Sequence, residues 1–89
     1  MERDELLDRA KNIITGERQI DYGDARDNFR TIAKLWTVYL QRVELPLCET
    51  DVADMMILLK IARNTGDNKT DDSYVDIAGY AALGGEMNT

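Results

Sequence analysis

Asp72, Asp76 and Tyr80 stand four residues apart near the C-terminal end of the sequence, among the apolar residues Val75, Ile77, Ala78, Ala81 and Ala82. At helical periodicity the three share one face. Two carboxylates one turn apart repel each other unless a cation lies between or beside them. A second apolar run, Met55-Met56-Ile57-Leu58-Leu59, leads into Lys60 and, three residues on, Arg63. An ionised group in a dry interior must be paired, hydrated or bound to a ligand. Two readings follow. In one, Asp51, Asp72 and Asp76 hold a divalent ion, while Lys60 and Arg63 neutralise the phosphates of a ligand bridged by that ion. In the other, Asp51 and Asp54 are first-turn acids favoured by the helix dipole, Asp72 caps its helix, and Lys60 simply pairs with Asp76.

The residue inventory narrows the chemistry. The sequence has no histidine, which removes the commonest general base and the commonest zinc ligand. Its single cysteine, Cys48, rules out an internal disulfide and a thiolate metal cage, and fits a reducing, cytoplasmic setting. Cys48 has no histidine to activate it and is expected to be a small buried hydrophobe. A metal bound here would be a hard ion held by carboxylates, magnesium or manganese. Hydrolysis would need a water activated by that metal and a carboxylate; no catalytic residue stands out beyond this.

The net charge of −6 is unevenly placed. Residues 1–42 carry eight basic and eight acidic side chains, whereas residues 43–89 carry three and nine. The acidic second half argues against a duplex-DNA footprint, which needs a basic surface, and suits a cation, a basic partner or plain solubility. No apolar run is long enough to span a bilayer, and the charged start Met1-Glu2-Arg3-Asp4-Glu5 does not open a signal peptide.

At 89 residues the chain is one domain, residues 1–89, with a thin core, and self-association into a homo-oligomer is expected to add buried area. Four helices are expected to position the groups above. Leu6, Leu7, Ala10, Ile13 and Ile14 recur at helical spacing and predict a helix over 3–15, closed by Gly16 at C′. Asp24 is a good N-cap for a second helix reaching about Val43, with the apolar stripe Phe29, Ile32, Ala33, Trp36, Leu40 and Val43 and with Tyr39 at its edge. Thr50 is a plausible cap for a third helix over 51–64, whose middle, Met55 to Leu59, is apolar all round and so reads as the most buried element. Asp71 or Asp72 starts a fourth helix, stopped near Leu83 by Gly84-Gly85. Nothing reads as a strand, so the expected fold is an all-α, small antiparallel bundle.

Two further features bear on binding. Tyr22-Gly23 before the Asp24 cap sits at a helix start, where free N–H groups attract anions and Tyr22 could stack on a base; the plainer reading is a turn with Tyr22 on the core. Arg26, Arg30 and Lys34 form a basic row that suits phosphate or an acidic partner, or is a solvated face. Trp36, Tyr39 and Met55-Met56 read as core.

Ile14-Thr15-Gly16-Glu17-Arg18, Tyr22-Gly23-Asp24, Asn28-Phe29, Ile32-Ala33 and Leu35-Trp36 resemble the first half of a family of small phage and prophage proteins built on a domain of unknown function. Asp51-Val52-Ala53, Met55 through Arg63 and the stretch from Asp72 to Tyr80 resemble its second half. The resemblance covers most of the chain and implies a phage origin. More distantly, the order of a Tyr-Gly-Asp turn, a basic helix and an acidic helix is similar to phage nucleotide-modification-associated domains and to MazG-like all-α pyrophosphohydrolases. Those enzymes hold magnesium between paired Glu-x-x-Glu and Glu/Asp-x-x-Asp motifs. This chain offers Asp51-x-x-Asp54 and, at a spacing of four, Asp72 and Asp76. The resemblance therefore implies a phage-type helical protein that takes a nucleotide or nucleotide-like phosphate ligand, with or without hydrolysing it. In that reading Lys60, Arg63, Tyr22 and Tyr80 contact the ligand and Asp51, Asp72 and Asp76 the metal. The alternative is a non-catalytic phage accessory module that binds and modulates a host protein. Both are placed in the host cytoplasm.

Overall fold

The computed structural model describes residues 1–16, 24–42 and 44–88. Among them the four amphipathic stretches become four α-helices: α1 (Arg3–Thr15), α2 (Ala25–Leu40), α3 (Glu49–Arg63) and α4 (Asp71–Met87). A single 3-10 turn, Gly66–Asn68, lies between α3 and α4, and no strand occurs among the described residues. The all-α expectation is met.

The loop after α3 is short, so α3 and α4 must turn back on each other. Asn64, the one polar residue buried among the described residues, closes that loop by accepting the Thr70 N–H on Oδ1 at 2.9 Å. The result is an antiparallel pair: Ala53 near the start of α3 lies against Gly84 near the end of α4, and Lys60 lies against Asp76. This is the most extensive helix pairing; α1 then packs on α4 and α2 on α3, while α1 and α2 have little direct contact. Phe29 and Ala33 of α2, Val52 and Ala53 of α3 and Met87 of α4 form the core cluster, with Trp36, Met56, Tyr80 and Leu83 packed around it. Val52 and Val75 are the largest fully buried side chains. Burial of each contributes on the order of 2 kcal/mol.

Several element ends differ from expectation. Asp24 caps α2 as expected, accepting the Arg26 N–H at 2.8 Å, but the helix ends at Leu40 because Gln41 takes a left-handed conformation, φ 56°. Val43 lies outside the described residues. α3 begins one residue before Thr50, with Cys48 as its cap residue. Cys48 is therefore exposed, not a buried hydrophobe. Thr70, not Asp72, caps α4, its Oγ1 accepting the Ser73 N–H at 3.1 Å. Gly84 and Gly85 remain inside α4, which runs on to Met87. Gly16 follows α1 at φ −107°, outside the left-handed region; a Cβ there would lie 2.5 Å from the Asn12 carbonyl oxygen, so the missing side chain answers a close approach.

The largest departure is in α3. Its middle is not the most buried element: Leu58 is 64% exposed, and Met55 and Leu59 are exposed as well. The helix is covered by α2 and α4 on one side only. Tyr39 likewise stands 86% exposed on α2 and is not core.

Candidate functional site

Lys60 and Asp76 meet as the electrostatics require. The Lys60 Nζ lies 3.0 Å from Asp76 Oδ2, with side-chain exposures of 21% and 19%. Neither could be left alone at that burial without a large desolvation cost. The antiparallel register places them. Lys60 falls seven residues after Ala53 and four after Met56, on the side of α3 that faces α4.

Asp76 also borders a cavity of about 350 Å³. The cavity is lined from all four helices. Ile13 and Ile14 of α1, Phe29 and Ile32 of α2, and Met56 of α3 supply apolar walls. Three polar groups join them: Asp76, Asn28 and Tyr80. The Tyr80 ring lies 6.3 Å from that of Phe29 at an interplanar angle of 33°. Concave, mostly apolar walls with a few convergent polar groups are the usual make-up of a small-molecule site. Lys60 fixes the Asp76 carboxylate, so the cavity has one positioned acceptor.

The other candidate residues go elsewhere. Asp72 is bound by Arg9 of α1, Nη2 to Oδ1 at 2.8 Å, in an exposed pair. Asp51 lies nine residues before Lys60, about 13 Å along the helix axis, at the opposite end of α3. There its Oδ2 accepts the Cys48 backbone N–H at 2.9 Å and the thiol at 3.3 Å. The three carboxylates thus have three separate partners. Among the described residues no group of three His, Cys, Asp or Glu side chains could hold a metal ion. Arg63 is exposed at the last position of α3, and Tyr22 lies outside the described residues. The basic row is divided: Arg26 donates to the Glu86 carbonyl at 3.0 Å, and Arg30 approaches Asp27 at 3.7 Å and Glu49 at 3.6 Å. The structure therefore places Asp76, ion-paired to Lys60, and Tyr80 on one cavity, and gives Asp72 a partner on α1 and Asp51 one at the opposite end of α3.

Sequence reasoning missed Arg9 and Asn28. Arg9 carried a signal, being a cation on the polar side of a helix whose neighbour begins with acids; Asn28 carried none.

A domain family described as a domain of unknown function, DUF6378, matches residues 5–88. The chain belongs to this family. It is also 50% identical over 78 residues to the Gene 55 protein of Mycobacterium phage L5, covering 88% of this chain and 49% of that protein. The Gene 55 protein of Mycobacterium phage D29 is 45% identical over 76 residues, covering 85% and 48%. This DUF6378 chain thus spans about half the length of the phage relatives it matches. No solved structure matches it significantly. The expected kinship with phage proteins is met, and no helix among the described residues is long and apolar enough to cross a membrane.

Proposed function

We propose that this domain binds a small nucleotide-type ligand, with the heterocyclic ring inserted into the cavity between α1, α2 and α4. The observation that carries the reading is the Asp76 carboxylate, held by Lys60 at 3.0 Å on the edge of a cavity with mostly apolar walls. A nucleobase presents flat apolar faces and an edge of N–H donors and carbonyl acceptors. Phe29 and Tyr80 suit the faces; Asp76 accepts from an N–H, and the Asn28 amide both donates and accepts. In this reading Lys60 positions Asp76 and does not grip phosphate. The sugar and phosphates leave through the open mouth of the cavity. Magnesium then comes with the phosphates and takes only one or two protein carboxylates, for which exposed Asp72, one turn before Asp76 on α4, is the candidate on exchanging its Arg9 contact. Asp51 is assigned to capping α3. Hydrolysis is not part of the reading, because the MazG-like chemistry needs acids gathered from two helices, and here they are divided.

Titration calorimetry with the four nucleosides and their triphosphates, with and without magnesium, tests the proposal. At least one base is expected to bind as both nucleoside and triphosphate. Asp76→Asn should weaken that binding by about tenfold or more, the worth of a hydrogen bond to a charged group. Ala25→Phe, which fills the cavity from α2, should abolish it. No heat and no rise in melting temperature with any member of the panel would defeat the reading. The accessory-module alternative draws on a different observation, the twelve large apolar side chains exposed among the described residues.

A further inference from the structure

The chain exposes more surface than a molecule of its size should. Its accessible area is 6607 Å², whereas a compact monomer of 10.1 kDa exposes about 5,300 Å². Its radius of gyration is 14.0 Å, against about 12 Å for a compact 89-residue domain. The excess area, about 1,300 Å², exceeds the roughly 800 Å² that each partner loses in a standard protein interface.

The exposed apolar residues of α3 are ordered. Met55, Leu58, Leu59 and Ala62 recur at i, i+3, i+4 and i+7, and all four are exposed. They form a second stripe, turned away from Ala53 and Lys60, with Leu59 bordering the Val52 side of the helix. Asp51, Met55, Leu58 and Ala62 follow one another at spacings of four, three and four, the spacing of a helix–helix seam. We propose that this stripe pairs with the same stripe of a second copy of the chain, α3 against α3 and antiparallel, about a two-fold axis.

Charge selects the orientation. Asp51 and Asp54 lie in the first half of α3, and Arg63, exposed, is its last residue; Lys60 and Glu49 are already held within the chain by Asp76 and Arg30. An antiparallel pair sets the acidic end of one helix beside the basic end of the other and opposes the two helix dipoles. A parallel pair sets acid beside acid. The self-complementary patch is of the kind that closes a two-fold dimer. None of the four stripe residues lines the cavity.

Sedimentation equilibrium of the full chain should give twice the 10.1 kDa mass at micromolar concentration. Leu58→Lys should return it to monomer with helicity by circular dichroism unchanged, while Tyr39→Lys, on the exposed side of α2, should leave the dimer intact. Hydrogen exchange on the unaltered chain gives an independent reading that needs no variant: amides of residues 55–62 should slow as the protein is concentrated across the dissociation constant. A chain that stays monomeric at every concentration overturns the proposal and gives the stripe to a different partner. A dimer that survives Leu58→Lys, or that dissociates with Tyr39→Lys, also overturns it, because the contact then lies elsewhere.

Discussion

The two sides of α3 are built from the same kind of residue and live in different surroundings. Val52, Ala53 and Met56 face α2 and α4, and Val52 is wholly buried. Met55, Leu58 and Leu59 face outward from the same turns. Hydrophobic periodicity alone does not separate them, because a helix that is apolar all round has no preferred side. The charged residue does. Lys60 extends the Ala53–Met56 side and ends 3.0 Å from Asp76, so the side carrying the cation is the side with a protein neighbour. The lesson is that in a nearly uniform apolar helix the polar exception marks the intramolecular face.

The sharpest way to break that comparison is to place a carboxylate on each side. Val52→Asp puts an unpaired charge in the core and should cost at least about 4 kcal/mol, enough to unfold a small domain. Leu58→Asp should change the stability of the monomer by less than about 0.5 kcal/mol. Urea unfolding below the dimer's dissociation concentration measures both. Similar losses at the two positions would mean that the outer stripe is covered within one chain.

A smaller contrast separates the two acids of α4. Asp76→Ala leaves Lys60 half-buried without its partner and should cost about 2 kcal/mol, between the surface and buried limits for ion pairs. Asp72→Ala removes an exposed pair with Arg9 and should cost less than about 1 kcal/mol. If thermal denaturation shows equal losses, the Lys60–Asp76 pair is no better than a surface contact. A rise in stability for Asp76→Ala in the absence of magnesium would instead favour the metal-ligand role read from the sequence.

The helices and the Lys60–Asp76 encounter were legible because each rests on local or pairwise physics. Periodicity sets an element, and a cation and an anion inside adjacent apolar helices seek each other. The separation of Asp51 from Asp76 was not, because it required knowing where along the antiparallel pair each acid falls. Asp51 and Asp76 lie on facing helices but at different heights, and a list of acids carries no height. Asp51 was further claimed by its own helix start at Cys48, a local demand that outcompetes a distant one. The cavity was also hidden, since its lining comes from all four helices and no single residue announces a gap.

The two glycines of α4 give the last and smallest contrast. Both were read as a helix stop, yet both are helical, and their surroundings differ. A Cβ on Gly84 would lie 2.9 Å from the Ala53 Cβ, an atom fixed to the α3 backbone, so the helices must part to admit it. A Cβ on Gly85 would meet nothing within 4 Å. Gly84→Ala gains about 1 kcal/mol of helix propensity but loses roughly 1–3 kcal/mol to overpacking, so the net change is expected to be destabilising. Gly85→Ala keeps the propensity gain and should stabilise by about 0.5–1 kcal/mol. Ala53→Gly should rescue Gly84→Ala and do nothing for Gly85→Ala, since only the first pair shares a contact. A double-mutant cycle by chemical denaturation reads this coupling directly. A coupling of zero between positions 53 and 84 would remove the close approach that sets the register of α3 on α4, and with it the placement of Lys60 opposite Asp76.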